Sequence, residues 1–369
     1  VALFADNDIN FPPRRRRRRW LGPTLLAIAA LTIVGVAVSP SPFVVEQPGP
    51  VFDTLGAVTV DSKAVPLINI PVQQTYPTEG SLSMLTVSIA GNRDNPLTWL
   101  EVIPAWLNPS KAVVPVDAIY PVGTTVQQSS DQSKIEMDIS QQEAIAAALG
   151  ELKYPFTSVL TVAGTDAKGP AANVLLADDT VVSINGQTFT DVSELRAAVA
   201  ANGVTKAAVV VVMRAGVEKT VSITPHLSDS AQPVPVLGIL VSSKYTFPFD
   251  ISIQLQNVGG PSAGQMFALG IIDKLTPGAL TGGADVAGTG TITGGGEIGA
   301  IGGIRQKLYG ALNSGAKYFL APASNCDEVT GHIPAGLQVV AVSTLKDSLA
   351  ALKGIASGDT ASLPGCPAS

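Results

Sequence analysis

The sequence predicts a multidomain α+β chain with three parts: a single N-terminal transmembrane helix, a small β-rich domain holding one helix, and a C-terminal α/β domain. Three observations carry this prediction. One uninterrupted apolar run, Trp20 to Val38, follows a block of six arginines, Arg14 to Arg19. Short β-type runs recur through the middle of the chain, bounded by Gly, Pro and Asn turns. From about residue 229 strand-type and helix-type segments alternate. The 369 residues are 46% hydrophobic and 14% charged, which excludes a mainly disordered chain. The single long apolar run excludes a polytopic membrane protein.

At the N-terminus, residues 1–19 read as a cytoplasmic basic segment and 20–38 as an anchor. At 1.5 Å per residue the run reaches roughly 28 Å, about one hydrocarbon core. No basic cluster follows it, so the expected topology is single-pass at the cell membrane, with the N-terminus cytoplasmic and everything after Pro40 extracytoplasmic. A signal peptide cleaved near Ala37 and Ser39 is the alternative. Net charge is −6, but beyond residue 40 the chain holds 17 basic against 27 acidic residues. That acidic body argues against a nucleic-acid partner. Cys326 and Cys366 stand 40 apart with no CxxC, which makes them disulfide candidates outside the cytosol and not zinc ligands. No metal or other cofactor is expected.

Residues 39–150 read as a linker and an N-terminal β-rich region. β runs fall at Leu67–Val72 and Ser83–Ile89, and a short helix at Trp99–Leu107. Ser140 and Glu143 form a capping-box pattern, so a helix is expected over about 140–150. No chemistry is read in this region. Residues 151–228 hold a strand to Ile184, an Asn185-Gly186 hairpin turn, a helix over Asp191–Ala200 capped by Asp191, and β runs Ala207–Met213 and Val217–Ile223. Residues 229–355 form the α/β domain, with helices at Gln265–Leu275, Ile304 to about Asn313, and Ser343–Leu352. Residues 356–369 are a tail.

Ser262 draws attention first. Gly259 and Gly260 permit a sharp turn, Pro261 ends the preceding strand, and Ser262 falls at a helix start, where free N–H groups favour an anion. A nucleophile needs such donors for its oxyanion; a plain helix cap fits the same residues. The hydroxyl also needs a base. His226 and His332 are the chain's two histidines, and neither has an obvious orienting carboxylate nearby in sequence. Lys274, twelve residues along the same helix, lies about 18 Å away. Lys307 differs, because its helical neighbours Gly303, Gly310, Ala311 and Ser314 are small. They would let the helix press close and strip water from the amine, lowering its pKa. An ordinary solvated lysine is the competing reading.

Two resemblances add to this. The stretch LLADDTVVSINGQTFTDVSELRAAV resembles a PDZ domain, with Asp178-Asp179 where that family has Gly-Asp, and implies an extended peptide added beside the Asp191–Ala200 helix. GGPSAG at 259–264, AGTGTITGGGEIGAIGGIRQKL at 287–308 and GAKYFLAPASN at 315–325 resemble the proteolytic domain of Lon proteases. That resemblance implies a Ser262–Lys307 dyad, with Thr289 beside it and Gly260, Pro261 and Ala263 in the supporting and oxyanion region. The family's acidic residue before Gly-Pro-Ser is Gly260 here, and the Glu of its TGEI segment is Thr291. No GxxxxGK[ST] loop is present in the chain, so the Lon ATPase motif is absent from it. The whole order resembles membrane-anchored bacterial PDZ–Lon-like proteases. It implies an ATP-independent serine endopeptidase acting on exported or membrane-associated proteins, with protein or peptide substrates, and by analogy a homo-oligomeric ring. Two rivals stand beside it. One is an α/β-hydrolase-type esterase, since Gly260–Gly264 fits G-x-S-x-G with Asp285 and His332 as partners. The other is a non-catalytic PDZ peptide-binding scaffold.

Overall fold

The structure is a computed structural model and describes residues 21–366, apart from 61, 122, 124, 167, 190, 229–232 and 257. In chain order, α1 (Leu21–Ala37) precedes β1 (Phe43–Asp53), β2 (Ser81–Ala90), α2 (Trp99–Trp106), β3 (Ala112–Pro115) and α3 (Val126–Glu151). Next come β4 (Thr157–Thr165), β5 (Thr180–Ile184), α4 (Val192–Asn202), β6 (Ala208–Arg214), β7 (Val217–Ile223) and β8 (Ile239–Thr246). The chain closes with α5 (Gly264–Leu275), β9 (Asp285–Gly288), α6 (Ile304–Asn313), β11 (Tyr318–Pro322), β12 (Gln338–Val342) and α7 (Leu345–Ser357); β10 is the short strand Thr291–Ile292 between β9 and α6.

A mixed six-stranded sheet, ordered β12-β11-β9-β2-β1-β3, organises the part that carries Ser262. Its strands β2, β9, β11 and β12 run parallel, and β1 returns antiparallel beside β2. Strand alternation sorts the side chains into two cores. Leu82, Met84, Val286, Leu320 and Val340 face α3, α5 and α7. Leu85, Ala287, Phe319, Ala321 and Val339 face α6. This period of two is what a sheet covered on both faces requires. The register of β1 on β2 shifts between Pro48 and Val51, where Pro48 and Pro50 lack the N–H groups a regular ladder needs.

A five-stranded sheet, ordered β7-β6-β5-β4-β8, packs α4 around a separate core of Leu160, Val162, Leu195, Val210 and Val212. The Asn185-Gly186 turn has both residues at positive φ, 51° and 81°, as a two-residue hairpin demands. Asp191 caps α4 by accepting from the N–H groups of Ser193 and Glu194.

Several sequence expectations need correction. α1 spans 17 residues, or about 25 Å at 1.5 Å per residue. No helix among the described residues is long and apolar enough to cross a membrane. The helix closes where Ser39 Oγ bonds Val36 O, and Pro40 then disfavours a helical Ser39. The transmembrane span over 20–38, the single-pass topology with a cytoplasmic N-terminus, and the localisation built on them are therefore not supported. The basic segment 1–19 and Trp20 lie outside the described residues.

The helix expected near 140–150 is the second half of α3, which runs 26 residues from Val126. Its start is set by Thr125 and Gln128, which form the capping box. With no proline or glycine between 126 and 149 nothing breaks the helix, and Ser140 and Glu143 are freed for tertiary bonds. The division at 228/229 also differs from the sheet, because β8 pairs along β4. Residues 39–150 are likewise no separate region, since β1, β2 and β3 belong to the same sheet as β9, β11 and β12.

Candidate active site

The sheet explains how residues 45 positions apart come to meet. α5 covers one face and α6 the other. β9 ends at Gly288 between its longer neighbours, leaving a crevice at the carboxyl end of a parallel strand. Ser262 enters it from the loop before α5, Lys307 from the first turn of α6, and Thr289 from the end of β9.

Lys307 Nζ donates to Ser262 Oγ at 2.8 Å and to Thr289 Oγ1 at 2.9 Å. Thr289 Oγ1 in turn donates to Ser262 O at 2.9 Å, and the Gly290 N–H reaches the same carbonyl. Lys307 is 2% exposed and Thr289 fully buried. No carboxylate bonds the amine among the described residues. Burial therefore acts unopposed and brings its pKa down to about 7. Of the small residues around Lys307, Gly303 has φ +68° and sits where an added Cβ would lie 2.7 Å from Val87 Cγ2. Gly310 and Ala311 are buried, and Ser314 is exposed at the helix end.

The loop that carries Ser262 is held from α3. The Gly260 N–H donates to Ser133 O at 2.8 Å, and Ser140 Oγ donates to Pro261 O at 2.9 Å. Gly260 takes φ +84° in this turn. Ala263 is the N-cap of α5, so the N–H groups around Ser262 and Ala263 sit at a helix start, where the first donors have no intrahelical acceptor. A cleft of about 490 Å³ opens over the pair, walled by Phe52, Met84, Val87, Ile89, Met137 and Val258.

The structure keeps the other candidates apart from Ser262. His332 is exposed with Nδ1 3.0 Å from Thr330 O, and Asp285 is exposed and accepts from Ser81 Oγ. His226 is exposed on a short strand. Lys274 points away and donates to Leu55 O. Cys326 and Cys366 form a disulfide with Cα atoms 5.1 Å apart. Sequence reasoning missed the brace and most of the wall, which come from residues 39–150. The ten-residue alternating run SLSMLTVSIA at 81–90 was the signal available, being long enough for a central strand.

Residues 256–353 match the Lon protease (S16) C-terminal proteolytic domain. That match supports a serine peptidase domain within residues 256–353. A Lon protease of Azospirillum brasilense is 40% identical over 93 residues, which is 24% of this chain and 11% of that protein. The aligned part of the peptidase domain is thus about a tenth of that relative's length. Among solved structures, the PDZ domain of an SdrC-like protein from Listeria innocua is similar at 24% identity, covering 22% of this chain and 92% of its own, with a TM-score of 0.21. Its Listeria monocytogenes counterpart has 21% identity, covers 22% of this chain and 85% of its own, and has a TM-score of 0.21.

Proposed function

We propose that the peptidase domain cleaves polypeptides with a Ser262–Lys307 dyad. The observation that carries this reading is the 2.8 Å contact between Nζ and Oγ at a buried lysine with no counter-charge bonded to it among the described residues. In its neutral form the amine accepts the Ser262 proton as Oγ attacks the peptide carbonyl. The N–H groups at the start of α5 stabilise the oxyanion. The lysine returns its proton to the leaving amine, which frees the C-terminal fragment and leaves an acyl ester on Ser262. Water, deprotonated by the same amine, hydrolyses the ester. Thr289 holds the amine in line. None of these steps consumes a nucleotide, so the reading expects hydrolysis without ATP.

Purified protein incubated with casein tests the reading. Wild type cleaves with or without ATP, and Ser262→Ala and Lys307→Ala each lower the rate by at least a thousandfold. Equal cleavage by Lys307→Ala would remove the dyad. Loss of activity in His332→Ala would return the assignment to the esterase. Assembly into a ring rests on the family resemblance alone, and sedimentation of the purified protein decides it.

A further inference from the structure

α6 begins without a side-chain cap. Gly303 is its N-cap, at φ +68°, and has no side-chain oxygen to offer the first N–H groups. Gly302 stands before it, exposed at the cleft over Ser262, with nothing within 4 Å of where a Cβ would lie. Two glycines in series leave the backbone its greatest freedom. Lys307 sits one turn further on, its N–H bonded to Gly303 O. Its 2.8 Å contact with Ser262 Oγ therefore needs that turn to be fixed from elsewhere.

The loop after β11 supplies the fixing. Asn325 is 2% exposed. Its Oδ1 accepts from the Ile301 N–H and its Nδ2 donates to the Ile301 carbonyl, both at 2.9 Å and both buried. A short amide carries an acceptor and a donor side by side, so it satisfies both backbone groups of one residue at once. Nδ2 also donates to Glu328 Oε1 at 3.1 Å. Arg305 Nε donates to Glu328 O at 3.2 Å, which ties the first turn of α6 to the same loop. Ile301, Ile304 and Leu308 pack with Phe319 and Val329 beneath it. Asn325 does not itself line the cleft, so whatever it does for Lys307 passes through Ile301.

We propose that Asn325 is a positioning residue for the base: its amide pins Ile301, and through Gly302 and Gly303 it fixes the first turn of α6 and the line from Lys307 Nζ to Ser262 Oγ. This deepens the peptidase reading and rests on it. Without the amide, the Ile301 N–H and carbonyl lose buried partners and must seek others. The turn can follow them only by pivoting at the two glycines. That pivot lengthens the Nζ to Oγ contact and admits cleft water to the amine. The walls at Phe52, Met137 and Val258 are untouched, so turnover suffers while substrate binding holds.

Asn325→Leu keeps the side-chain volume and removes both bonds. In casein cleavage it should lower kcat about tenfold to a hundredfold, with KM changed less than about threefold. The acid limb of the pH–rate profile should move from about 7 toward 10.5, and its midpoint does not depend on how much enzyme is folded. In parallel, Lys307 is labelled with acetic anhydride across pH in Ser262→Ala, with and without Asn325→Leu, and read by mass spectrometry. The labelling midpoint should make the same upward move without any turnover. A kcat within about threefold of wild type, or an unmoved labelling midpoint, overturns the positioning role. If Asn325→Leu gives no cooperative melt, Asn325→Ser is read in the same way, and loss of the fold in both makes the contact purely structural and overturns the proposal. Absence of Ser262-dependent cleavage in the wild type overturns the peptidase reading, and the labelling still decides whether Asn325 sets the surroundings of Lys307.

Discussion

Lys307 carries a stability cost that its proposed role as base requires. Its folded pKa of about 7 lies below the usual 10.5, so between those values the unfolded chain holds the extra proton and stability rises with pH. Below pH 7 the cost is full, and above about 10.5 it vanishes. At about 1.4 kcal/mol per unit this amounts to roughly 5 kcal/mol. Lys307→Met is therefore expected to raise urea-unfolding stability at pH 7 by a few kcal/mol and to have little effect at pH 10.5. An equal gain at both would show that protonation is not the cause. Catalysis runs with the same sign: activity should climb through pH 7 as the amine is freed of its proton, and a rate that falls over that range would exclude Lys307 as base. Thr289→Val removes one of the two oxygens the amine contacts and is expected to lower kcat about 10- to 100-fold. Thr289→Ser should restore most of it, measured at saturating substrate.

At the scale of elements, α3 is the brace of the site. Ser133 and Ser140 grip the loop that carries Ser262. One turn on, the Glu143 carboxylate accepts from Tyr245 Oη at the end of β8 and from the Gly294 N–H. The sequence shows a Ser-x-x-Glu pattern there and reads it as a helix start, since the same two side chains suit a cap. Only packing reveals that both are spent on neighbours. α6 depends on Gly303 in a similar way. Gly303→Ala introduces a side chain at positive φ against Val87, and is expected to cost about 1–3 kcal/mol. It should also lower kcat by displacing the first turn that carries Lys307. A thermal melt with kinetics separates the two effects, and unchanged kcat would mean that α6 does not depend on this contact.

At the scale of the molecule, the peptidase sheet is assembled from both ends of the chain. β1 and β2 precede the five-stranded sheet, while β9, β11 and β12 follow it. A fragment of residues 247–369 lacks two central strands and the α3 brace. It is expected to give no cooperative unfolding transition by circular dichroism, whereas replacing 157–246 by a short flexible linker should leave one. A cooperative melt from the fragment would contradict the sheet order. The Cys326–Cys366 bond ties the tail to the layer that carries α6. Closing a loop of this length contributes about 4 kcal/mol on chain-entropy grounds, and reduction should lower the melting temperature accordingly.

The sequence alone determined the local chemistry: a serine behind Gly-Gly-Pro at a helix start, a lysine among small residues, and strand and helix periods along most of residues 157–357. These are properties of neighbours within a few positions, which spacing and backbone preference encode. Tertiary structure decided the rest. It placed Ser262 and Lys307 on opposite layers and joined them at the short end of β9. It turned residues 39–150 into the cleft wall and brace. Each outcome depends on which strands pair across more than a hundred residues, and pairing at that range follows from burial of two cores at once, which no local pattern records.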